Sequence, residues 1–293
     1  MSPLLRAGPI ALAAVLLTAL AGCSPAGTPA PAASGAPASP AASGAPPASS
    51  AAPPASQAPA ASDTAPASSA APPESETPPV SAGPPIEFSF NPPGQLKPGS
   101  GQGVTDATVF VPGMRFPLQA PQGFANSQVW GHGGTSGPGG GQCDSANYAY
   151  PWSDDFCETR AYTTPLCPSG SGHQGQDIRP DTCKAATYTA VAAEDGVISQ
   201  IGSYTVYLSA NSGRTYLYLH MQMDKLKVKV GDHVARGQAL GLVSNNFGSA
   251  STTIHLHFEI KQPVSLNGAT IVTRVPPYSS LVDAYQRLLA GNP

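Results

Sequence analysis

The sequence predicts a mainly β fold of short antiparallel strands with a single helix near the C-terminal end. Short apolar runs separated by turn residues recur beyond His173, and a helical pattern follows only over residues 280–290. The links between the runs are too short for the helical crossovers that neighbouring parallel strands require. The 293 residues carry a formal net charge of −3 and only 11% charged residues, which gives no electrostatic case for nucleic-acid binding.

Residues 1–23 are predicted to be an export signal. Arg6 is the only charge before the apolar run 10–20, whose length suits a secretory signal better than a transmembrane helix. The run ends in Leu20-Ala-Gly-Cys23, which resembles the lipobox of bacterial lipoproteins. This resemblance implies that Cys23 is lipidated and anchors the protein to a membrane of the cell envelope. Because Ser24 follows, the periplasmic face of the outer membrane is expected if the host has one, and otherwise the outer face of the cell membrane. An ordinary signal peptide with an incidental cysteine is the alternative.

A linker is predicted over residues 24–85. All but eight of these residues are Ala, Pro, Ser or Gly, and Val80 is the only larger aliphatic residue among them. Nothing in this composition can drive burial, so the linker is predicted to be disordered. The folded domain is predicted over residues 86–293, a length that can hold one sizeable core.

The strands of the domain are predicted from apolar runs bounded by turn residues. They cover residues 108–111, 114–118, 189–193, 196–201, 205–208, 215–220, 228–232, 238–243 and 253–260. Turns are predicted at Asp195-Gly196 and at Asn211-Ser-Gly213, and residues 228–232 and 238–243 are predicted to form a further hairpin. In the helix, Ser280 and Asp283 are predicted to form a capping box.

Residues 131–171 are predicted to be a surface insertion held by disulfides. A Gly-rich loop runs to Gly141, and a polar segment with cysteines follows it. Apart from Cys23 the chain has four cysteines, an even number that suits disulfides in an oxidising compartment. Of three possible pairings, short loops favour Cys143 with Cys157 and Cys167 with Cys183. A four-cysteine zinc site is the alternative, although these spacings contain no C-x-x-C pair.

Two histidines share one face of the predicted strand 253–260. Its polar and apolar residues alternate, which directs four apolar side chains into a core: Ile254, Leu256, Phe258 and Ile260. His255, His257 and Glu259 then lie side by side on the open face. Two imidazoles placed in this way can share a metal site, or one can bind metal while the other transfers protons. A surface strand that happens to carry two histidines is the alternative.

His173 and Asp177 lie four residues apart in the segment Gly-His-Gln-Gly-Gln-Asp, where glycines let the backbone bend. Together with His257 they offer two nitrogens and one oxygen, the open set of three ligands that a catalytic zinc uses. The fourth position would hold a water whose pKa falls to roughly 7. His220 ends a predicted strand, a position where a lone histidine is more often structural.

Five sequence blocks, in this order, resemble the lysostaphin/LytM-type zinc endopeptidases of peptidoglycan. They are Gly172-His-x-Gly-x-Asp177, Val191-Ala-Ala-Glu-Asp-Gly-Val197, Tyr218-Leu-His220, Val230-Gly-Asp-x-Val234 with Gly237-Gln-x-Leu-Gly241, and His255-Leu-His-Phe-Glu259. The resemblance covers about residues 116–261. The chain departs from the family in its longer connection over residues 131–171 and in Ser251-Thr-Thr-Ile254, where the family usually has Ser-Thr-Gly-Pro.

The resemblance implies a small antiparallel, barrel-like β structure with a groove for an extended peptide across one zinc ion. His173, Asp177 and His257 are the implied zinc ligands, and His220 and His255 are the implied catalytic histidines. His255 is the expected general base and His220 is expected to stabilise the oxyanion, with the reverse division of roles as the alternative. The implied reaction hydrolyses a peptide bond in the stem or cross-link peptides of peptidoglycan. A non-catalytic scaffold that binds peptidoglycan or activates another hydrolase is the alternative.

Two further residues are candidates for supporting roles. Glu259 is expected to support the site through hydrogen bonds, with a solvated strand residue as the alternative. His132 stands between glycines, and we hypothesise that it reaches the metal's fourth position and displaces the water. The alternative for His132 is a solvent-exposed loop histidine.

Overall fold

The computed structural model describes residues 87–119 and 121–293. The predicted signal and linker lie outside the described residues. Within the described ranges, no helix combines the length and the apolar character needed to cross a membrane. The strands are β1 (Gly123–Ala125), β2 (Gln176–Pro180), β3 (Thr189–Val191), β4 (Gly196–Ile201), β5 (Thr205–Ala210), β6 (Thr215–Leu219), β7 (His233–Val234), β8 (Ala239–Leu242), β9 (Asn246–Phe247), β10 (Ala250–Ser251), β11 (Leu256–Leu266) and β12 (Ala269–Val275), and the α-helix is α1 (Tyr278–Leu289).

The fold is organised around a sheet of eight strands. Seven of them follow the order β1-β2-β11-β6-β5-β4-β7, and β12 pairs with the later part of β11. Every neighbouring pair in this sheet is antiparallel, which confirms the predicted fold class. Two smaller pairs, β3 with β8 and β9 with β10, are antiparallel as well.

The core forms on one face of the central strands. Ile178, Leu256 and Phe258 are fully buried there, together with apolar residues of β6 and α1. Because side chains alternate along a strand, the residues between these positions point to the other face. Burial of Ile178 and Leu256 therefore directs Asp177 and His257 towards the same open side of the sheet.

The predicted C-terminal helix is confirmed, but its predicted cap is wrong. α1 begins at Tyr278, two residues before Ser280, so Ser280 lies inside the first turn. Its hydroxyl accepts a hydrogen bond from the Val111 N–H at 3.1 Å and fastens the segment before the sheet to the helix. This contact to a residue distant in sequence replaces the local capping box.

Two of the predicted hairpins are wrong. β3 pairs with β8 and β4 pairs with β5 and β7, so the Asp195-Gly196 turn joins strands that do not pair with each other. Residues 228–232 do not form a strand, and β8 finds its partner in β3. The hairpin across Asn211-Ser-Gly213 is confirmed by the pairing of β5 with β6.

The predicted strands at residues 108–111 and 114–118 are also wrong. The second segment lies along β3 and the two residues after it. There the Arg115 N–H donates to Ala193 O at 2.9 Å. Leu118 forms a single bridge with Ala190. Pro117 has no N–H to donate, and it therefore interrupts the ladder that an apolar run would otherwise form.

β2 was not predicted from the sequence, and neither was β12. β12 follows β11 through Asn267-Gly268, where Leu266 lies opposite Ala269. Asn-Gly between two extended segments is a strong hairpin signal, since both residues tolerate positive φ. Here the φ angles are 52° and 80°.

The four cysteines do form two disulfides, but the predicted pairing is wrong. Cys143 is bonded to Cys183, and Cys157 to Cys167. These bonds also exclude the four-cysteine zinc site. The insertion is not confined to the surface, because Trp152 and Phe156 are fully buried.

An aromatic cluster fixes the insertion to both ends of the domain. Phe88 packs against Trp152 and Tyr285, with both pairs of ring centroids 4.8 Å apart. Trp152 and Tyr285 are themselves 4.5 Å apart, and Phe116 joins them. Aromatic pairs in such contact contribute about 0.5–1.5 kcal/mol each beyond burial.

The bond between Cys143 and Cys183 closes a loop of 40 residues. Loss of this constraint on the unfolded chain is expected to lower the free energy of unfolding by about 4 kcal/mol. Urea denaturation of the Cys143→Ala/Cys183→Ala variant measures the change. Each single variant breaks the same bond and should lose as much as the double variant. A loss under about 1 kcal/mol would contradict the loop-entropy account.

Candidate active site

Three donor atoms converge where β2 and β11 lie side by side. His257 on β11 lies directly opposite Asp177 on β2, and His173 comes from the segment that leads into β2. His257 Nδ1 is 2.9 Å from both His173 Nε2 and Asp177 Oδ1, and the latter two atoms are 3.4 Å apart. All three residues are buried. The structure thus brings together the three predicted metal ligands.

The orientation of the two imidazoles fits a metal in this position. His173 Nδ1 donates to the Asp155 carbonyl at 3.0 Å, and His257 Nε2 donates to Glu259 Oε1 at 3.1 Å. With those hydrogens placed outwards, the lone pairs of His173 Nε2 and His257 Nδ1 face the Asp177 carboxylate. Zinc bonds of about 2.0–2.2 Å in a tetrahedron place neighbouring donors about 3.4 Å apart. The donor set fits one zinc ion, and so does the 3.4 Å separation of His173 Nε2 from Asp177 Oδ1; the two 2.9 Å separations are about 0.5 Å shorter than the tetrahedral value.

Asp155, from the insertion, supports two of the ligands. Its carboxylate accepts the Asp177 N–H at 3.0 Å and lies 3.3 Å from His173 Nδ1. Asp155 is fully buried. Partners of this kind fix the orientation of metal ligands. Sequence analysis missed Asp155, and its one signal was an acidic pair between the apolar residues Trp152 and Phe156.

Glu259 supports the third ligand, which confirms the expectation for this residue. One oxygen accepts from His257, and the other accepts from Arg274 Nε at 2.8 Å. Burial alone would raise the pKa of Glu259, but His257 and Arg274 hold it below its usual value. Arg274 lies on β12, a strand that was not predicted, so its contact with Glu259 was not predicted either.

Two further histidines border the three ligands, as predicted. His220 follows β6 and His255 precedes β11, and their ring centroids are 4.4 Å apart. His220 Nδ1 donates to Asn246 O at 2.9 Å, and His255 Nδ1 donates to Thr253 O at 2.8 Å. A carbonyl can only accept, so both imidazoles carry a hydrogen on Nδ1. In the neutral form each therefore presents the lone pair of Nε2.

The charge state of the site follows from its surroundings. Burial and the neighbouring His255 lower the pKa of His220 to about 3, so this imidazole is neutral near pH 7. Burial alone would raise the pKa of Asp177, but His173 and His255 hold it well below its usual range. Asp177 is therefore an anion, and its Oδ1 lies 3.4 Å from His255 Nε2.

The backbone at His220 adopts a conformation that L-residues rarely take, with φ 65°. Ser244 stabilises it, because both its N–H and its hydroxyl donate to His220 O, at 2.7 and 3.0 Å. A non-glycine residue held in this region costs on the order of 1–3 kcal/mol. The conformation turns the His220 side chain off the end of β6 and towards the site.

A groove of about 530 Å³ contains these five residues. The disulfide-closed loop of residues 157–167 lines it with Arg160 and Tyr162. Tyr204, Tyr207 and Phe247 line it as well. Its lining mixes aromatic and aliphatic side chains with polar ones, among them Gln128 and Gln174, and such a groove suits an extended peptide.

His132 does not reach the metal ligands, so the hypothesis for this residue is wrong. Its Nδ1 lies 3.4 Å from Asp144 Oδ2. The side chain lines a separate depression of about 310 Å³ with Lys97 and Trp130. The flexibility of the flanking glycines allowed either position, and the carboxylate of Asp144 provides a local partner.

Residues 171–271 match the family described as Peptidase family M23. The chain carries a peptidase family M23 domain. Protease LasA of Pseudomonas aeruginosa is 34% identical over 95 residues, covering 29% of this chain and 22% of LasA. The chain thus spans about a fifth of the length of that relative.

Two solved structures show a limited likeness. A LytM structure from Ruminococcus gnavus is 20% identical with a TM-score of 0.37, covering 61% of this chain and 62% of that one. The lysostaphin catalytic domain of Staphylococcus simulans is 28% identical with a TM-score of 0.31, covering 41% and 87%. The five predicted site residues lie within the matched M23 range, whereas Asp155 precedes it and Arg274 follows it.

Proposed function

We propose that the M23 domain is a zinc-dependent endopeptidase that hydrolyses peptide bonds in the stem or cross-link peptides of peptidoglycan. The convergence of His173 Nε2, Asp177 Oδ1 and His257 Nδ1 in a peptide-sized groove carries this proposal. The completeness of this donor set favours an enzyme over a scaffold that only binds peptidoglycan.

The two neighbouring histidines supply the proton chemistry. When bound, zinc polarises the scissile carbonyl and acidifies a water molecule. His255 accepts a proton from water at Nε2 and returns it to the leaving nitrogen, because its Nδ1 hydrogen is held by Thr253 O. The Asp177 carboxylate, 3.4 Å away, stabilises the imidazolium that forms in between.

The proposed role of His220 differs from the sequence-based expectation. A neutral imidazole with its hydrogen on Nδ1 cannot donate from Nε2 to an oxyanion. The low pKa of His220 opposes the protonation that such a role requires. We therefore assign His220 the role of a hydrogen-bond acceptor that orients the attacking water or a substrate N–H.

The proposed location is the cell envelope, with Cys23 as the lipidated anchor and peptidoglycan as the partner. The lipobox-like residues before Cys23 support the anchor. Two disulfides in the folded domain support export, since such bonds persist in oxidising compartments.

Mass spectrometry of muropeptides released from defined sacculi tests the proposed function. The zinc-loaded protein is expected to release fragments cut at a peptide bond, a chelator should stop the release, and added zinc should restore it. Sacculi made with and without glycine-containing bridges distinguish cross-link from stem cleavage. Undigested sacculi with a zinc-loaded, folded protein would contradict the enzyme and favour the scaffold.

A further inference from the structure

Two glutamines outside the matched M23 range hold the two residues that precede His255. Gln128 Oε1 accepts the Thr253 hydroxyl at 2.6 Å, and Gln142 Oε1 accepts the Ile254 N–H at 2.9 Å. Gln128 precedes the insertion and Gln142 ends its Gly-rich loop. The segment before β11 is therefore held from both sides by side chains that lie more than 100 positions earlier in the chain.

Both glutamines are joined to one buried guanidinium. Arg179 Nη1 donates to Gln142 O at 2.9 Å, and Arg179 Nε donates to Asn126 Oδ1 at 3.3 Å. Asn126 O in turn accepts from Gln128 Nε2 at 2.9 Å. Arg179 is fully buried on β2, two positions beyond Asp177 and on the same strand face. We name Gln128, Gln142, Asn126 and Arg179 the glutamine clamp.

The clamp acts on the hydrogen bonds of His255. Gln128 Oε1 takes the hydroxyl hydrogen of Thr253, which leaves a lone pair of Thr253 Oγ1 towards His255 Nδ1 at 3.1 Å. Thr253 O accepts the same Nδ1 hydrogen at 2.8 Å. Gln142 fixes the next residue, so this pair of acceptors cannot rotate away. Nε2 of His255 is thereby kept free of hydrogen and directed at the metal ligands.

We propose that Gln128 and Gln142 are positioning residues that hold His255 in its reactive orientation, with Arg179 as their common support. This inference rests on the proposed endopeptidase function. The clamp holds the segment Thr253-Ile254, where the resembling family has Gly-Pro. The clamp also accounts for the buried Arg179 guanidinium, whose two hydrogen-bond acceptors, Asn126 Oδ1 and Gln142 O, are neutral. It implies that the catalytic unit extends at least from Asn126, well before the matched range.

Kinetics of clamp variants test the proposal. Gln128→Leu and Gln142→Leu are each expected to lower kcat about 10- to 100-fold, the usual loss when the partner of an active-site residue is removed. KM should change less than about twofold for Gln142→Leu, because Gln142 does not line the groove, whereas Gln128 does. Gln262→Leu is the matched control. Gln262 also accepts a hydrogen bond through Oε1, from Arg214 Nε, but it lies on the part of β11 that pairs with β12.

A double-mutant cycle separates positioning from general damage. In a His255→Ala background, the Gln128→Leu and Gln142→Leu changes should cause no further loss, because the group they orient is absent. An equal fold-loss in both backgrounds would overturn the proposal, as would unchanged kcat in the single variants. Thr253→Val removes the hydroxyl that Gln128 accepts and should lower kcat as much as Gln128→Leu does. The conservative Thr253→Ser change keeps the hydroxyl and should lose less than Thr253→Val.

A spectroscopic measurement keeps the test independent of activity. In the full chain, with and without zinc, NMR should show a slowly exchanging Nδ1–H resonance that disappears in His255→Ala. Gln128→Leu and Gln142→Leu should speed its exchange with water at least about tenfold, and Thr253→Ser should preserve it. Unchanged exchange would overturn the clamp even if the protein proved not to hydrolyse peptidoglycan. An inactive wild-type protein with the expected exchange pattern would instead contradict only the proposed function.

Discussion

Replacing His257 with alanine is expected to abolish zinc binding and to lower peptidoglycan hydrolysis on the order of a thousandfold or more. His257 contributes the donor atom that lies 2.9 Å from each of the other two. Its removal leaves one nitrogen and one carboxylate oxygen, too few for a catalytic zinc. Zinc content by atomic absorption and the rate of muropeptide release measure the two effects.

His233→Ala is the matched control for this substitution. His233 lies exposed on β7, in the same sheet but at its far edge. The control should retain one zinc ion and the wild-type rate, with a matching far-UV spectrum in both variants. Stoichiometric zinc in folded His257→Ala protein would show that the ion lies elsewhere.

His255→Ala should give the second-largest effect, and here zinc should stay bound. Removal of a general base costs typically 100- to 10,000-fold in rate. Since His255 contacts the ligands only through Asp177 Oδ1 at 3.4 Å, its loss leaves all three donor atoms in place. Rates with a soluble cross-link peptide, measured beside zinc content, separate catalysis from metal binding.

Comparison with His220→Ala tests the assigned roles. His220 is proposed to accept a hydrogen bond, so its loss should cost less than the loss of His255. A larger loss for His220→Ala than for His255→Ala, with zinc retained in both, would reverse the assignment of the general base.

The strand face that carries His255 and His257 was predictable because its determinants are local. The two-residue period of residues 254–260 fixes which side chains face the core, and so places His255 and His257 on the other face. His173 and Asp177 are close in sequence, but β2, the strand that orients Asp177, was not predicted. The order of the motifs then related these residues to a family.

The supporting residues were not predictable because their partners are distant in sequence. Asp155 touches His173 and Asp177 only once the insertion packs against β2. The disulfide pairing failed for the same reason: short loops were favoured on entropy, but the fold brings Cys143 to the end of β2, beside Cys183. Packing of Trp152 and Phe156 set these distances, and neither showed a periodicity that sequence analysis could use.

β12 illustrates a different limit. Its Asn267-Gly268 turn was a recognisable signal, but the flanking segment alternates weakly, and much of β12 is exposed. The register of β12 against β11 matters for the site, because Arg274 reaches Glu259 only when Arg274 lies opposite Lys261. A shift by one residue would move Arg274 to the other face of the sheet.

The position of Phe88 determines how the domain responds to a pull on its N-terminal side. Tension applied ahead of Glu87 first loads the packed rings of Phe88, Trp152 and Tyr285, together with the backbone hydrogen bonds that Ser89 and Asn91 form with Trp152. Asp155 lies three residues beyond Trp152, and its neighbour Asp154 accepts a hydrogen bond from the Gly94 N–H at 2.8 Å. We therefore expect a pull at this end to disrupt the aromatic cluster before it displaces Asp155 from His173.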